Sequence, residues 1–290
     1  MNGILLVDKP EGWTSNDVVV KLKGVLRERR IGHSGTLDPL ATGLLVVFVG
    51  RATRAVEFAE AHDKRYLAGL RLGLVTDTQD ITGTALRSVE AGVTEAELKS
   101  ALARFVGEQE QIPPMFSAIK VNGQRLYDIA RRGGEIERRA RKINIRSIDI
   151  VGRENGDYLL DVCCSKGTYI RTLCHDIGEA LGCGACMSSL RRVGAGEFDI
   201  SSAHTLEELV SLAAKGEAEQ VLLPVDSLFS SMPEYTADER CEKRIKNGNE
   251  IKTPALPDGE YRVYSASGEF LMLGRAKDGV MRTIKSFFAV

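Results

Sequence analysis

Thirteen residues near the N-terminus, Ile31-Gly32-His33-Ser34-Gly35-Thr36-Leu37-Asp38-Pro39-Leu40-Ala41-Thr42-Gly43, constrain this chain more than any other stretch. Their glycines, threonines and proline sustain neither helical nor strand periodicity, so no regular element is expected across them. On the N-terminal side, Val18, Val19, Leu22, Val25 and Leu26 recur at helical spacing behind a Thr14 or Ser15 cap. On the other side, residues 44–49 form an unbroken apolar strand pattern. A polar loop between a helix and a buried strand is a place where side chains can be held for chemistry. Pro39 biases Asp38 towards an extended backbone and so gives its carboxylate a direction. The loop reads equally well as a long turn with a helper carboxylate.

Several chemistries fit the loop poorly. No Gly-Lys-Ser/Thr follows its glycines, so it is not a phosphate-binding P-loop. A glycosidase needs two cooperating carboxylates, and the loop offers only Asp38. A lone Asp suits covalent catalysis better than paired acid–base work.

The rest of the chain alternates helix and strand signals. Residues 4–7 read as a short strand ended by the Lys9-Pro10-Glu11-Gly12 turn, and Tyr66, Ala68, Leu70 and Leu72 alternate as on a half-buried strand. Thr94-Glu95-Ala96-Glu97 is a capping box that opens a helix reaching Phe105, and Pro113-Pro114 stops it. Residues 157–163 read as a strand and 168–181 as a helix. Ser230, Ser231 and Pro233 break the pattern and suggest a boundary between 1–230 and 231–290. The tail carries a hairpin pattern around 265–268 and reads as a small β-rich domain. The fold class expected is α+β.

With 39 basic and 40 acidic side chains the net charge is −1, so any claim of nucleic-acid binding rests on local clustering. Segment 120–146 supplies a cluster: nine basic residues, among them Arg131, Arg132, Arg138 and Arg139, against three acidic ones. It is either a solvated face or a polyanion grip. The apolar stretch at residues 3–8 is too short for a membrane span or a signal peptide. Six cysteines in this composition suggest reduced thiols and a cytoplasmic protein. Cys183-Gly184-Ala185-Cys186 has the spacing of half a zinc knuckle, but no second pair accompanies it, so buried free thiols are expected rather than a metal site.

The loop with Leu44-Leu45 closely resembles the catalytic motif of the TruB family of pseudouridine synthases. Five further blocks extend the resemblance over residues 1–200: Asp8-Lys9-Pro10-Glu11-Gly12-Trp13-Thr14-Ser15, Lys64-Arg65-Tyr66, Gly167-Thr168-Tyr169-Ile170-Arg171, Ser188-Ser189-Leu190-Arg191-Arg192, and Pro113-Pro114-Met115-Phe116-Ser117-Ala118 with Lys120-Val121-Asn122-Gly123. The resemblance implies a catalytic domain with a mixed, largely antiparallel sheet. It also implies a thumb insertion at about 108–146 and a C-terminal β-barrel similar to a PUA domain. The implied activity is isomerisation of the T-loop uridine of tRNA, conventionally position 55, without a cofactor. No obligate protein partner is implied, and nothing demands more than a monomer.

Carried over by position, Asp38 is the nucleophile, attacking ribose or base. Arg171 pairs with it and holds it ionised. Tyr66 is a platform for the unstacked base, and its hydroxyl could shuttle a proton. Tyr169 supports the arrangement, Leu190 lines the pocket, and Lys64 belongs to the Tyr66 block. His33 helps hold the opened RNA loop, the four arginines of 120–146 hold phosphates, and Lys9 and Pro10 support the loop from behind. Cys186 departs from the pattern, because its position in the family is commonly His. Two other classes fit the same blocks less well: an RNA-binding protein that has lost the chemistry, and the guide-dependent relative of H/ACA ribonucleoproteins.

Overall fold

A computed structural model describes residues 1–117, 119–121 and 123–288. Ala118 and Asn122, quoted above for the thumb-like block, lie outside the described residues. A nine-stranded sheet runs through the first two hundred residues. Its main path places the strands in the order Gly3–Lys9, Thr42–Val49, Ala185–Ala195, Lys64–Leu72, Asp157–Cys164, Arg141–Glu154, Gly107–Gln111. Along that path every pairing is antiparallel except the parallel contact of Arg191 and Arg192 with Thr42 and Gly43.

Strand sequence follows from how many faces are covered. In Thr42–Val49, Leu44, Val46 and Phe48 pack into one apolar cluster, while Leu45, Val47 and Val49 pack into another. A strand buried on both faces reads as a continuous apolar run. Lys64–Leu72 buries Tyr66, Ala68 and Leu70 but leaves Arg65 exposed, hence its alternation. Over that buried face lie the helices Glu95–Leu102 and Ile170–Ala180, through Leu98, Leu102, Leu173 and Ile177. Truncating any one of these to Ala costs about 2–5 kcal/mol.

The helix pattern after Thr14 forms Ser15–Leu26, capped reciprocally by Thr14 and Asp17. The expectation of irregularity across 31–43 is corrected at its start. Ile31–Ser34 is a strand, because Val46–Val49 opposite it supply the partners. Between the paired segments Gly107–Gln111 and Arg141–Ile145, residues 112–140 leave the sheet as an excursion. It contains a two-plus-two-residue hairpin and the short helix Leu126–Ala130.

The tail forms a second sheet of five strands in the order Glu234–Ala237, Gly259–Ser265, Phe270–Lys277, Val280–Ser286, Ile251–Lys252. Among the described residues this ladder is open, so the closed barrel expected from the sequence is not what is seen. The edge strands are too short to complete a ring. Phe270 of this sheet and Phe287 just beyond it pack against Phe229, and Phe229 against Phe58, in one apolar cluster with Ile4, Leu44 and Phe48 of the first sheet. The two sheets thus share an apolar seam. No helix among the described residues is long and apolar enough to cross a membrane.

Candidate active site

Asp38 lies between the strands Ile31–Ser34 and Thr42–Val49, with its side chain 40% exposed. The loop is anchored on both sides of it. Buried Ser15 accepts from the Leu37 amide at 2.8 Å and donates to the Leu37 carbonyl at 3.2 Å. The Gly12 amide donates to the Pro39 carbonyl at 2.8 Å. Lys9, fully buried, ties the turn beneath by donating to the carbonyls of Pro10 (2.8 Å) and Trp13 (2.7 Å). Burial drops the Lys9 ammonium to about 8, against an opposing pull from the Asp38 carboxylate. Lys9 and Pro10 are not among the residues that line the cavity in front of the loop.

Arg171 sits in the first turn of Ile170–Ala180 and is only 5% exposed. Its Nε stands 2.9 Å from Asp38 Oδ2 and its Nη1 3.7 Å from Asp80 Oδ2. It also donates to the carbonyls of Thr78 (3.1 Å) and Phe116 (2.7 Å). A guanidinium supplied with this many acceptors is fixed in orientation. The start of its helix is set by Gln111, which accepts from the Tyr169 amide at 2.8 Å and donates to the Tyr169 carbonyl at 3.0 Å.

Asp80 was not singled out in the sequence. It is buried and accepts from Thr78 Oγ1, the Thr82 amide and Thr82 Oγ1. The available signal was the run Asp77-Thr78-Gln79-Asp80-Ile81-Thr82-Gly83, dense in side chains that bond their own backbone. Arg192, 1% exposed, was quoted only as part of a block and given no role.

Asp38, Tyr66, Arg171, Tyr169, Leu190 and Lys64 all line one cavity of about 830 Å3, as do Arg192, Ser117 and Ile119. Burial pushes the Tyr66 phenol up, and the Arg192 guanidinium opposes the shift. Tyr169 is pushed up by burial as well. Lys64 lines the wall, but its ammonium donates to the carbonyls of Glu60 (2.7 Å) and His62 (2.6 Å), and burial lowers it to about 8.

Other expected residues stand apart. His33 is not among those lining the cavity. It sits opposite Val47, its Nδ1 buried without a hydrogen-bond partner among the described residues, and burial lowers its pKa. Arg131, Arg132 and Arg139 are exposed on the excursion, with Arg131 over the Tyr127 ring. Arg138 is engaged: it donates to the Pro113 carbonyl at 3.1 Å and to Glu135 at 3.3 Å. The thiols of Cys174 and Cys186 are buried, and burial pushes Cys186 up to about 11. Among the described residues no three His, Cys, Asp or Glu side chains converge to hold a metal.

Residues 23–170 match the family model described as TruB family pseudouridylate synthase (N terminal domain). Residues 171–230 match the tRNA pseudouridylate synthase B C-terminal domain. The chain belongs to the TruB family. Within it, this TruB-family chain is 42% identical over 295 residues to tRNA pseudouridine synthase B of Clostridium kluyveri, covering 99% of this chain and 100% of the relative. It is 43% identical over 288 residues to the protein of the same name in Burkholderia mallei, covering 97% and 95%. Among solved structures it superposes on a Cbf5–Nop10–Gar1 complex with a TM-score of 0.76 at 27% identity, covering 99% of this chain and 85% of that one. An H/ACA RNP bound to a substrate RNA containing 2′-deoxyuridine gives 0.76 at 25% identity, with the same coverage.

Proposed function

We propose that this chain isomerises uridine to pseudouridine in tRNA, at position 55 of the T-loop, with Asp38 as nucleophile. The observation that carries this reading is the Asp38 carboxylate held by a buried Arg171 on the wall of a cavity shared with Tyr66. The target base leaves its stack to reach that cavity. Asp38 forms a covalent bond to the nucleotide, and the N1–C1′ bond breaks with its electron pair going to uracil. The ring turns, C5 bonds to C1′ as the carboxylate leaves, and the C5 proton passes by way of the Tyr66 hydroxyl while N1 takes up a proton, so that the uracil is neutral again. The phenol is neutral at physiological pH, so as a relay it gives up its own proton as it takes the one from C5. The reaction has no redox change and needs no energy input, so it calls for no cofactor.

Arg131, Arg132 and Arg139 hold backbone phosphates, and the cavity chooses the base. Residues 1–230 act as the catalytic unit, and residues 231–290 as a PUA-like RNA-binding unit. The five-stranded sheet with its own apolar core and the exposed Lys243 and Arg244 support RNA binding by the second unit. A tRNA substrate places the work in the cytoplasm, and no protein partner is required.

The test is the purified chain alone on an unmodified tRNA transcript, with pseudouridine mapped by position. Conversion at position 55 is expected. Conversion elsewhere, or only when a guide RNA or partner protein is added, would overturn the reading.

A further inference from the structure

The loop that presents Asp38 leaves the sheet after Ser34 and rejoins it at Thr42, and one side chain reaches the backbone on both of its stems. Arg192 donates from Nε to the Leu44 carbonyl at 2.6 Å and from an Nη to the Gly35 carbonyl at 2.9 Å. It is the register partner of Tyr66 on the antiparallel neighbour and of Gly43 on the parallel one. Residues opposite each other on antiparallel strands project to the same face, so Arg192 and Tyr66 share the cavity side, and both line the cavity.

Two motif glycines are explained by this guanidinium and its backbone. At Gly43 (φ +95°) a Cβ would collide with the Arg192 carbonyl, and at Gly35 (φ +71°) it would stand 3.1 Å from Arg192 Nη1. Both backbone conformations are in addition ones that favour glycine. The strand Ala185–Ala195 is itself bound to the first strand by Arg191, whose Nη2 lies 2.7 Å from Asp8 Oδ2.

We infer that Arg192 is a positioning residue for the reaction proposed above: by clamping both stems of the 35–44 loop beside Tyr66, it fixes the separation between the Asp38 carboxylate and the Tyr66 hydroxyl. Without the clamp the loop keeps its Ser15 and Gly12 anchors, so it folds but samples positions in which the nucleophile and the relay are out of step. A misplacement of about 1 Å between reacting groups costs on the order of 100-fold in rate. Lysine keeps the buried charge but offers a single nitrogen on a flexible stem, which cannot hold both carbonyls as the guanidinium fork does.

The test is Arg192→Lys on full-length chain. Its single-turnover rate at saturating tRNA is expected to fall about 100-fold, while its tRNA dissociation constant and circular dichroism match wild type. A purely structural role would lower the active fraction without changing the rate per folded molecule. A rate within threefold of wild type in the folded variant would overturn the inference, and so would a loss confined to tRNA affinity. If Arg192→Lys does not fold, Arg192→Gln is the second variant, since its one amide nitrogen reaches at most one of the two carbonyls. Slowed turnover at wild-type affinity supports the clamp, and wild-type turnover overturns it. Wild-type protein run alongside separates this failure from failure of the functional reading, since it makes no pseudouridine only in the second case.

Discussion

Residues 35–44 and residues 112–140 border the same cavity, and they are anchored in different ways. The first stretch is held from three directions, by the Ser15 hydroxyl, the Gly12 amide and the Arg192 guanidinium. The second is held at its base by the ladder from Gly107↔Ile145 to Gln111↔Arg141 and by the Phe116 carbonyl on Arg171, and it carries Arg131, Arg132 and Arg139 outward into solvent. The difference matches what each is asked to do. Covalent chemistry loses most of its rate over an ångström, whereas the attraction between an arginine and a phosphate falls only slowly with distance. A nucleophile needs a fixed backbone, and a phosphate grip tolerates a loose one.

The largest effect is expected from Asp38→Asn, which keeps the shape of the anchored loop and removes its charge. Pseudouridine formation should drop by on the order of 10⁶-fold, the scale seen when a nucleophile is lost, with tRNA affinity nearly intact. Appreciable turnover by the purified variant would remove Asp38 from the chemistry. Next comes Tyr66→Phe, which retains the ring and deletes the hydroxyl. Loss of a proton relay costs about 100-fold or more, so the single-turnover rate should fall by that much at constant affinity. An unchanged rate would leave Tyr66 as a platform only.

The smallest effect on chemistry, and the sharpest test of the contrast, is the exchange of Arg131, Arg132 and Arg139 for Gln. Each lost phosphate contact should flatten the dependence of log affinity on log salt by roughly 0.7–0.9. The single-turnover rate at saturating tRNA should stay within about twofold. An unchanged salt slope would make the excursion a solvated face. A collapsed rate would make it part of the catalytic assembly, reached through Phe116 and Arg171. Arg138 is left out of this set because its guanidinium already serves the Pro113 carbonyl.

Much of the centre was legible because its residues sit in short ordered blocks. Asp38, Tyr66, Arg171, Tyr169 and Leu190, far apart in sequence, line one cavity. What escaped has physical reasons. The strand Ala185–Ala195 gives no clean period of two, since register shifts at Met187/Ser189 and Arg192/Gly194 break the alternation. Ile31–Ser34 is four residues long, and its pairing depends on a partner strand, Val46–Val49, that comes only after the intervening loop. Arg192 and Asp80 are buried charges, and in a sequence a charged residue reads as surface, because few are fully buried unless paired. His33 was read as part of the loop, whereas it lies on the strand Ile31–Ser34 that the loop pattern concealed.

The excursion begins and ends on adjacent antiparallel strands, with Gln111 opposite Arg141. Its two ends are therefore neighbours, and the sheet does not register how many residues lie between them. Doubling such a connection costs only about 0.6 kcal/mol in closure entropy. Descendants of this chain can lengthen, trim or replace the segment while the strands on either side keep their register. Outside Phe116, Ser117 and Ile119, which serve Arg171 and the cavity, evolution can thus revise which RNA is grasped separately from the residues that rearrange the base.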